Sequence, residues 1–127
     1  MQTTNNAETT TQSIKDMLDA LNRHDADALL ASITDDCVFE NTGPAPDGTR
    51  HTGKQEIQEF FAEFFKNAPN AKFTLETMLA GENHATVMHR YTWNDSPGGG
   101  DPGSVRGASI FVVRDGKVAE MYSYVKG

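Results

Sequence analysis

One cysteine, few cations and no long apolar run are what this sequence of 127 residues is short of. Cys37 has no second cysteine to pair with, so an intrachain disulfide and a cysteine-rich zinc site are both excluded. A lone thiol fits a reducing, cytoplasmic setting. Lys and Arg number 11 against 18 Asp and Glu, a formal charge of −7. Such a surface repels phosphate backbones and anionic lipid, and no window interleaves basic residues with aromatics. Neither nucleic acid nor a membrane is therefore expected as a partner. No stretch reaches membrane-spanning length, and the opening MQTTNNAETTTQ has neither the basic start nor the apolar run of a signal peptide. What the chain does have is enough length for one core. A domain of this size buries roughly two-thirds of the surface its unfolded form exposes, so no disulfide or metal is needed to hold it.

Residues 1–11 carry almost nothing to bury and are expected to form a disordered lead, with a single domain over 12–127. Ile14, Met17, Leu18 and Leu21 make one apolar helical stripe that ends near 22–24. Asp25 is placed to cap a second helix through Leu29, Leu30 and Ile33, and the β-prone Cys37-Val38-Phe39 opens a strand over 37–41. Three glycines and two prolines make 42–53 a loop. Thr52 with Gln55 has the spacing of a capping box for a third helix, whose stripe is Ile57, Phe60, Phe61, Phe64 and Phe65. Pro69-Asn70 ends it. Strands are predicted near 71–80, 84–94, 105–114 and 117–125, with Asp115-Gly116 as a tight hairpin turn and Gly98–Gly100 as a flexible connection rather than a phosphate loop. This order gives an α+β fold with helices on one face of a mainly antiparallel sheet. The strand over 105–114 is apolar on both faces, Phe111 and Val113 on one and Ala108, Ile110 and Val112 on the other, with Met88 and Met121 expected to extend the second. A homodimer through that outer sheet face follows.

The segments ALNRHDADALLASITDDCVFEN, RYTWN and RGASIFVVRDGKVAEMYSYVKG resemble SnoaL-like members of the nuclear transport factor 2-like superfamily, from about residue 12 to 127. The resemblance implies a cone-shaped half-barrel, with three N-terminal helices packed in a curved, mainly antiparallel sheet around an apolar pocket. Dimers across the sheet are common in that superfamily. Its ketosteroid isomerases use an Asp base with a Tyr and a protonated Asp in an apolar site. Aligned on that pattern, Met17 stands where the isomerase Tyr is, Asn41 at the base and Ser109 at the second acid. The acid/base Asp of SnoaL-type cyclases also falls at Ser109, and the Asp-Arg-Asp set of the epoxide hydrolases is not apparent. The usual catalytic carboxylates are thus replaced, and fold alone does not decide function.

The candidate chemistry therefore rests on other residues. His89, Tyr91 and Trp93 share strand parity, as do Phe111 and Val113, and the resemblance turns both sets toward the pocket. His89 is the candidate acid/base and Tyr91 a hydrogen-bond donor to a developing enolate, against the plainer reading of His89 as a bonded wall residue. Phe60, Phe61 and Phe64 are expected in the core with some ring surface on the cavity. Met17, Ser109 and Phe111 join them as pocket candidates. His51, in the loop before the third helix, is a candidate lid residue. The orientation of Asn41 is open between an oxyanion contact and closure of the turn at Thr42-Gly43. Asp35 and Asp36 read as solvated carboxylates and Cys37 as a small buried hydrophobe, its thiol raised by those acids. His24 sits at a helix end, and His84 and His89 leave a strand on opposite faces, so no metal and no cofactor is expected. The function that follows is a pocket for a small hydrophobic molecule, with cofactor-free isomerase- or cyclase-type proton transfer on a carbonyl compound, or noncatalytic binding or dimerisation by the same fold.

Overall fold

A computed structural model describes residues 6–93 and 103–126. Helix α1 spans Ala7–Asn22 and begins earlier than its apolar stripe suggests. Asn6 caps it, Oδ1 accepting from Thr9 N at 2.9 Å, and its first turns are held by polar side chains that are buried. Thr10 Oγ1 donates to Glu82 O at 2.7 Å, and Ser13 Oγ donates to Gly116 O at 2.9 Å, so α1 is tied to two hairpin turns of the sheet. Residues 7–11 are therefore helix and not a disordered lead. Asp25 caps α2 (Ala26–Ala31) as expected, accepting from Ala28 N at 3.0 Å. Ile33, expected at the end of that helix, instead opens strand β1 (Ile33–Glu40), fully buried and paired with Val118.

The segment expected to be a loop over 42–53 contains a short strand, β2 (Arg50–Thr52), paired antiparallel with β1. Its edge is fastened by Arg50 to Glu40 at 2.6 Å. The capping box at the start of α3 (Lys54–Asn67) does not form. Gly53 holds the cap position, and the Thr52 N–H donates to Glu56 at 3.1 Å in place of any contact with Gln55. The remaining strands are β3 (Lys72–Ala80), β4 (His84–Trp93), β5 (Gly103–Arg114) and β6 (Lys117–Val125). The Gly98–Gly100 connection lies outside the described residues. Asp115 and Gly116, with φ of 53° and 77°, close the β5–β6 hairpin, the double positive φ that a two-residue turn of matching twist requires.

The six strands form one open sheet in the order β2-β1-β6-β5-β4-β3, with β1 parallel to β6 and every other pairing antiparallel. Helices α1 and α3 lie on one face, where Ile14, Leu21, Phe61, Val87, Phe111 and Val118 meet in the core. This is the expected α+β half-barrel, with one more strand than the sequence indicates. The opposite face leaves Met88, Ile110, Tyr124 and Leu79 substantially exposed. Met121 does not join them. It pairs with Phe111 and is buried on the helix side, because the register of β6 shifts by one residue between Val112 and Val113. Among the described residues no helix is long and apolar enough to cross a membrane.

Candidate functional site

Between the helices and the inner face of the sheet lies a cavity of about 420 Å³. Its floor is aromatic because α3 places Phe60, Phe61 and Phe64 on one side of the helix, at the spacing that stacks successive turns. Its sheet wall is built by alternation: His89, Tyr91 and Trp93 leave β4 on the same face, and Phe73 of β3 is paired across from Tyr91. The rings of Phe73, Tyr91 and Trp93 run in contact along that wall, with centroids 4.9 Å and 5.1 Å apart. Among the described residues the lining contains no Asp, Glu, Lys or Arg. An apolar cleft of this kind favours an uncharged ligand, since burying an unpaired charge costs far more than burying a hydroxyl or carbonyl.

His89 is the exception to the apolar wall. It is 6 % exposed, and burial lowers its pKa below the ordinary histidine value, opposed in part by the Glu76 carboxylate. The imidazole is therefore neutral at pH 7. Its Nε2 lies 3.0 Å from Ser109 Oγ, which in turn lies 2.9 Å from Ser123 Oγ. Its Nδ1 is buried with no hydrogen-bond partner. A buried polar atom left so is uncommon in a folded protein, and it adds to the desolvation that keeps this ring uncharged. Gly107, also on the lining, leaves room for the ring: a Cβ there would stand 3.2 Å from His89 Cε1 and 2.5 Å from the Tyr124 carbonyl oxygen. Tyr91 is half-buried, and loss of solvent raises its pKa, so the phenol stays protonated and can donate.

The residues singled out from the sequence divide by position. Phe60, Phe61, Phe64, Asn41, Trp93, His89 and Tyr91 reach the cavity. Asn41 does so at the rim while closing its loop, Oδ1 accepting from Thr49 N at 2.9 Å. Met17 and Phe111 do not reach it. They are buried in the core behind it, 2 % and 0 % exposed, because the helix turn and the strand segment that carry them pack against neighbours instead of open space. Ser109 is fully buried and touches the site only through His89 and Ser123. His51 is no lid. It sits on β2 against Phe39 and Phe60, centroids 6.1 Å and 4.8 Å away, outside the lining. Leu21, Phe73, Gly107, Met121 and Ser123 are lining residues that sequence reasoning missed. Parity with Met121 could have pointed to Ser123, but only once β6 was known to face inward there.

No group of three or more His, Cys, Asp or Glu side chains gathers among the described residues. Asp35 and Asp36 stand on β1 and not in a loop, paired with Lys54 at 3.4 Å and Arg114 at 2.5 Å. The Cys37 thiol is buried and pushed up to about 12, chiefly by desolvation and then by the Asp36 and Glu120 charges, so it is no nucleophile.

Residues 14–121 match the SnoaL-like domain family. No curated protein matches the sequence. Among solved structures, an NTF2-like protein of unknown function from Mesorhizobium loti is 36% identical, with 95% of this chain and 93% of that one covered and a TM-score of 0.78. A candidate ketosteroid isomerase from Kribbella flavida is 20% identical, with 97% and 82% covered and a TM-score of 0.80. A protein of ketosteroid isomerase-like fold from Catenulispora acidiphila, solved with trimethylamine, is 18% identical, with 91% and 85% covered and a TM-score of 0.80. The last two likenesses are of fold.

Proposed function

The chain belongs to the SnoaL-like domain family, of an NTF2-like fold that includes isomerases and cyclases, and from that premise we propose that it binds a small, mostly apolar carbonyl compound and moves a proton at it without a cofactor. The observation that carries this reading is His89: a neutral imidazole on the lining of an aromatic cavity that has no charged side chain among the described residues. The neutral ring accepts a proton from carbon beside the carbonyl, and the Tyr91 phenol donates to the oxygen that gains charge. A cavity of about 420 Å³ falls in the range of small-molecule sites. Asn41 and Ser109, where the relatives' carboxylates are expected, favour a second reading: the same pocket binds its ligand and does no chemistry.

Deuterium exchange at the α-carbon separates the two without knowledge of the natural substrate. In D₂O the wild type is expected to accelerate exchange of 2-tetralone, followed by proton NMR, and His89→Gln to lose roughly a hundredfold or more of that acceleration. Equal rates in wild type and variant would remove His89 from the reaction. Saturable binding with no acceleration in either leaves noncatalytic binding. The exposed apolar residues Met88, Ile110 and Tyr124 support a homodimer through the outer sheet face, and the single buried thiol supports a reducing, cytoplasmic location.

A further inference from the structure

Two hydroxyls are strung from the His89 ring along the inner face of the sheet. Ser109 Oγ lies 3.0 Å from His89 Nε2 and 2.9 Å from Ser123 Oγ. Ser109 is fully buried, whereas Ser123, paired across from it, is half-buried and lines the cavity. Ser109 has one proton to give and no solvent to give it to. It therefore donates to one of these neighbours and accepts from the other. The tautomer of His89 decides which.

The neutral ring carries one proton, and Nδ1 is buried with no hydrogen-bond partner. A proton on Nδ1 would bury an N–H with nothing to accept it, the rarer of the two defects in folded proteins. With the proton on Nε2, Nδ1 is a bare ring nitrogen and Nε2–H donates to Ser109. Ser109 then donates to Ser123. Ser123 accepts that bond and keeps its own proton, which has no other partner among the described residues. The opposite tautomer reverses both bonds: Ser123 would give its proton to Ser109 and offer the cavity lone pairs only.

We infer that the Ser123 hydroxyl is a hydrogen-bond donor to the ligand of this cavity, held in that sense by the His89–Ser109 pair. The occupant that fits carries an acceptor oxygen without a proton, a ketone, lactone or quinone carbonyl, on an otherwise apolar body. This rests on the reading of the cavity as a site for a carbonyl compound, adds a donor to the Tyr91 phenol, and requires no proton transfer. It depends on no contact between the ligand and the ring nitrogens. A ligand lacking such an oxygen would cover the hydroxyl and leave its proton unmet, which costs affinity. In this arrangement His89 acts on the ligand through Ser109 and Ser123, as a positioning residue for the donor.

The tautomer is read on the full-length wild type and needs no variant to fold. Long-range ¹H–¹⁵N spectra at neutral pH, with the ring identified by its loss in His89→Gln, should place the proton on Nε2. A proton on Nδ1 would overturn the assignment. Binding is followed by NMR on the indole N–H of Trp93, the single tryptophan of the chain and a lining residue. Ser123→Ala should bind 2-tetralone roughly fivefold more weakly than the wild type and its oxygen-free counterpart tetralin within about twofold, and Ser123→Thr should recover the tetralone affinity. Equal weakening of both compounds would reduce Ser123 to a shape of the wall, and undiminished tetralone binding would leave its proton without a role. Either result overturns the assignment. Ser123-dependent binding in a wild type that does not accelerate exchange would keep Ser123 and remove the proton transfer, while failure of both compounds to bind would remove the carbonyl site and Ser123 with it.

Discussion

His89 is the residue whose surroundings differ most from what its own chemistry prefers. In water an imidazole titrates near 6.5, yet burial here disfavours the cation and sets the folded-state pKa below that value. The unfolded chain therefore binds the proton more readily, and stability rises with pH through this window. The contribution is complete above the unfolded pKa and is lost as pH falls through the lower folded value. Urea unfolding at pH 7.5 and 5.5 should accordingly show a larger loss for wild type than for His89→Gln, with a slope of at most about 1.4 kcal/mol per pH unit from this group. Identical losses would mean that the buried imidazole does not resist protonation. That His89 lies on the cavity lining follows from strand parity together with the resemblance that turned this face of β4 inward. The failure of His51 to join it was not legible in the sequence, because residues 50–52 form an edge strand only by pairing with β1.

At the scale of elements, polar side chains decide where the helices begin and how they dock. The apolar stripe of α1 was legible from its periodicity, but the early start depends on Thr10 and Ser13 finding backbone carbonyls in turns that lie far away in sequence. The other end of α1 is clamped in the same way. Asn22 Nδ2 donates to Phe73 O at 2.8 Å, and Phe73 N donates back to Asn22 Oδ1 at 2.7 Å, fixing the start of β3 and with it the Phe73 ring on the cavity wall. Asn22→Ala leaves both backbone groups unpartnered and should destabilise the fold by about 1–3 kcal/mol in urea unfolding. Asn67→Ala, which removes only an exposed contact to Glu63, should stay within about 0.5 kcal/mol. The capping box at Thr52 failed for a related reason. Its backbone N–H is taken by Glu56, one residue beyond the expected Gln55, because Gly53 enters the helix with φ of 89°.

For the molecule as a whole, the helices cover one face of the sheet, and the other carries exposed apolar side chains beside the Arg90–Ser104 and Arg106–Glu76 contacts. Leu79, Met88, Ile110 and Tyr124 are 65%, 38%, 41% and 56% exposed in the single chain. The proposed homodimer would cover the central part of that face. Light scattering at micromolar concentration should give twice the chain mass for the wild type and one chain mass for Ile110→Lys, whose side chain is outside the core and should leave the circular dichroism spectrum unchanged. A wild type of one chain mass would end the dimer proposal.

The sequence by itself determined the class of fold, the three helices, four of the six strands nearly to their ends, the β5–β6 turn and the aromatic character of the cavity floor. These follow from local rules: helical spacing, strand alternation and turn residues that accept positive φ. Tertiary structure decided the rest, and the β5–β6 pairing shows why. Counting back along an unbroken hairpin from Arg114 opposite Lys117 sets Ser109 against Tyr122. The register shift between Val112 and Val113 moves it by one, so that Ser123 stands opposite Ser109 and Tyr122 turns to the outer face beside Glu120. One extra residue in a ladder reverses every side chain beyond it, and whether a strand bulges depends on what its neighbours pack against. The hydroxyl chain behind His89 exists because of that shift, and nothing local to Ser109 or Ser123 announces it.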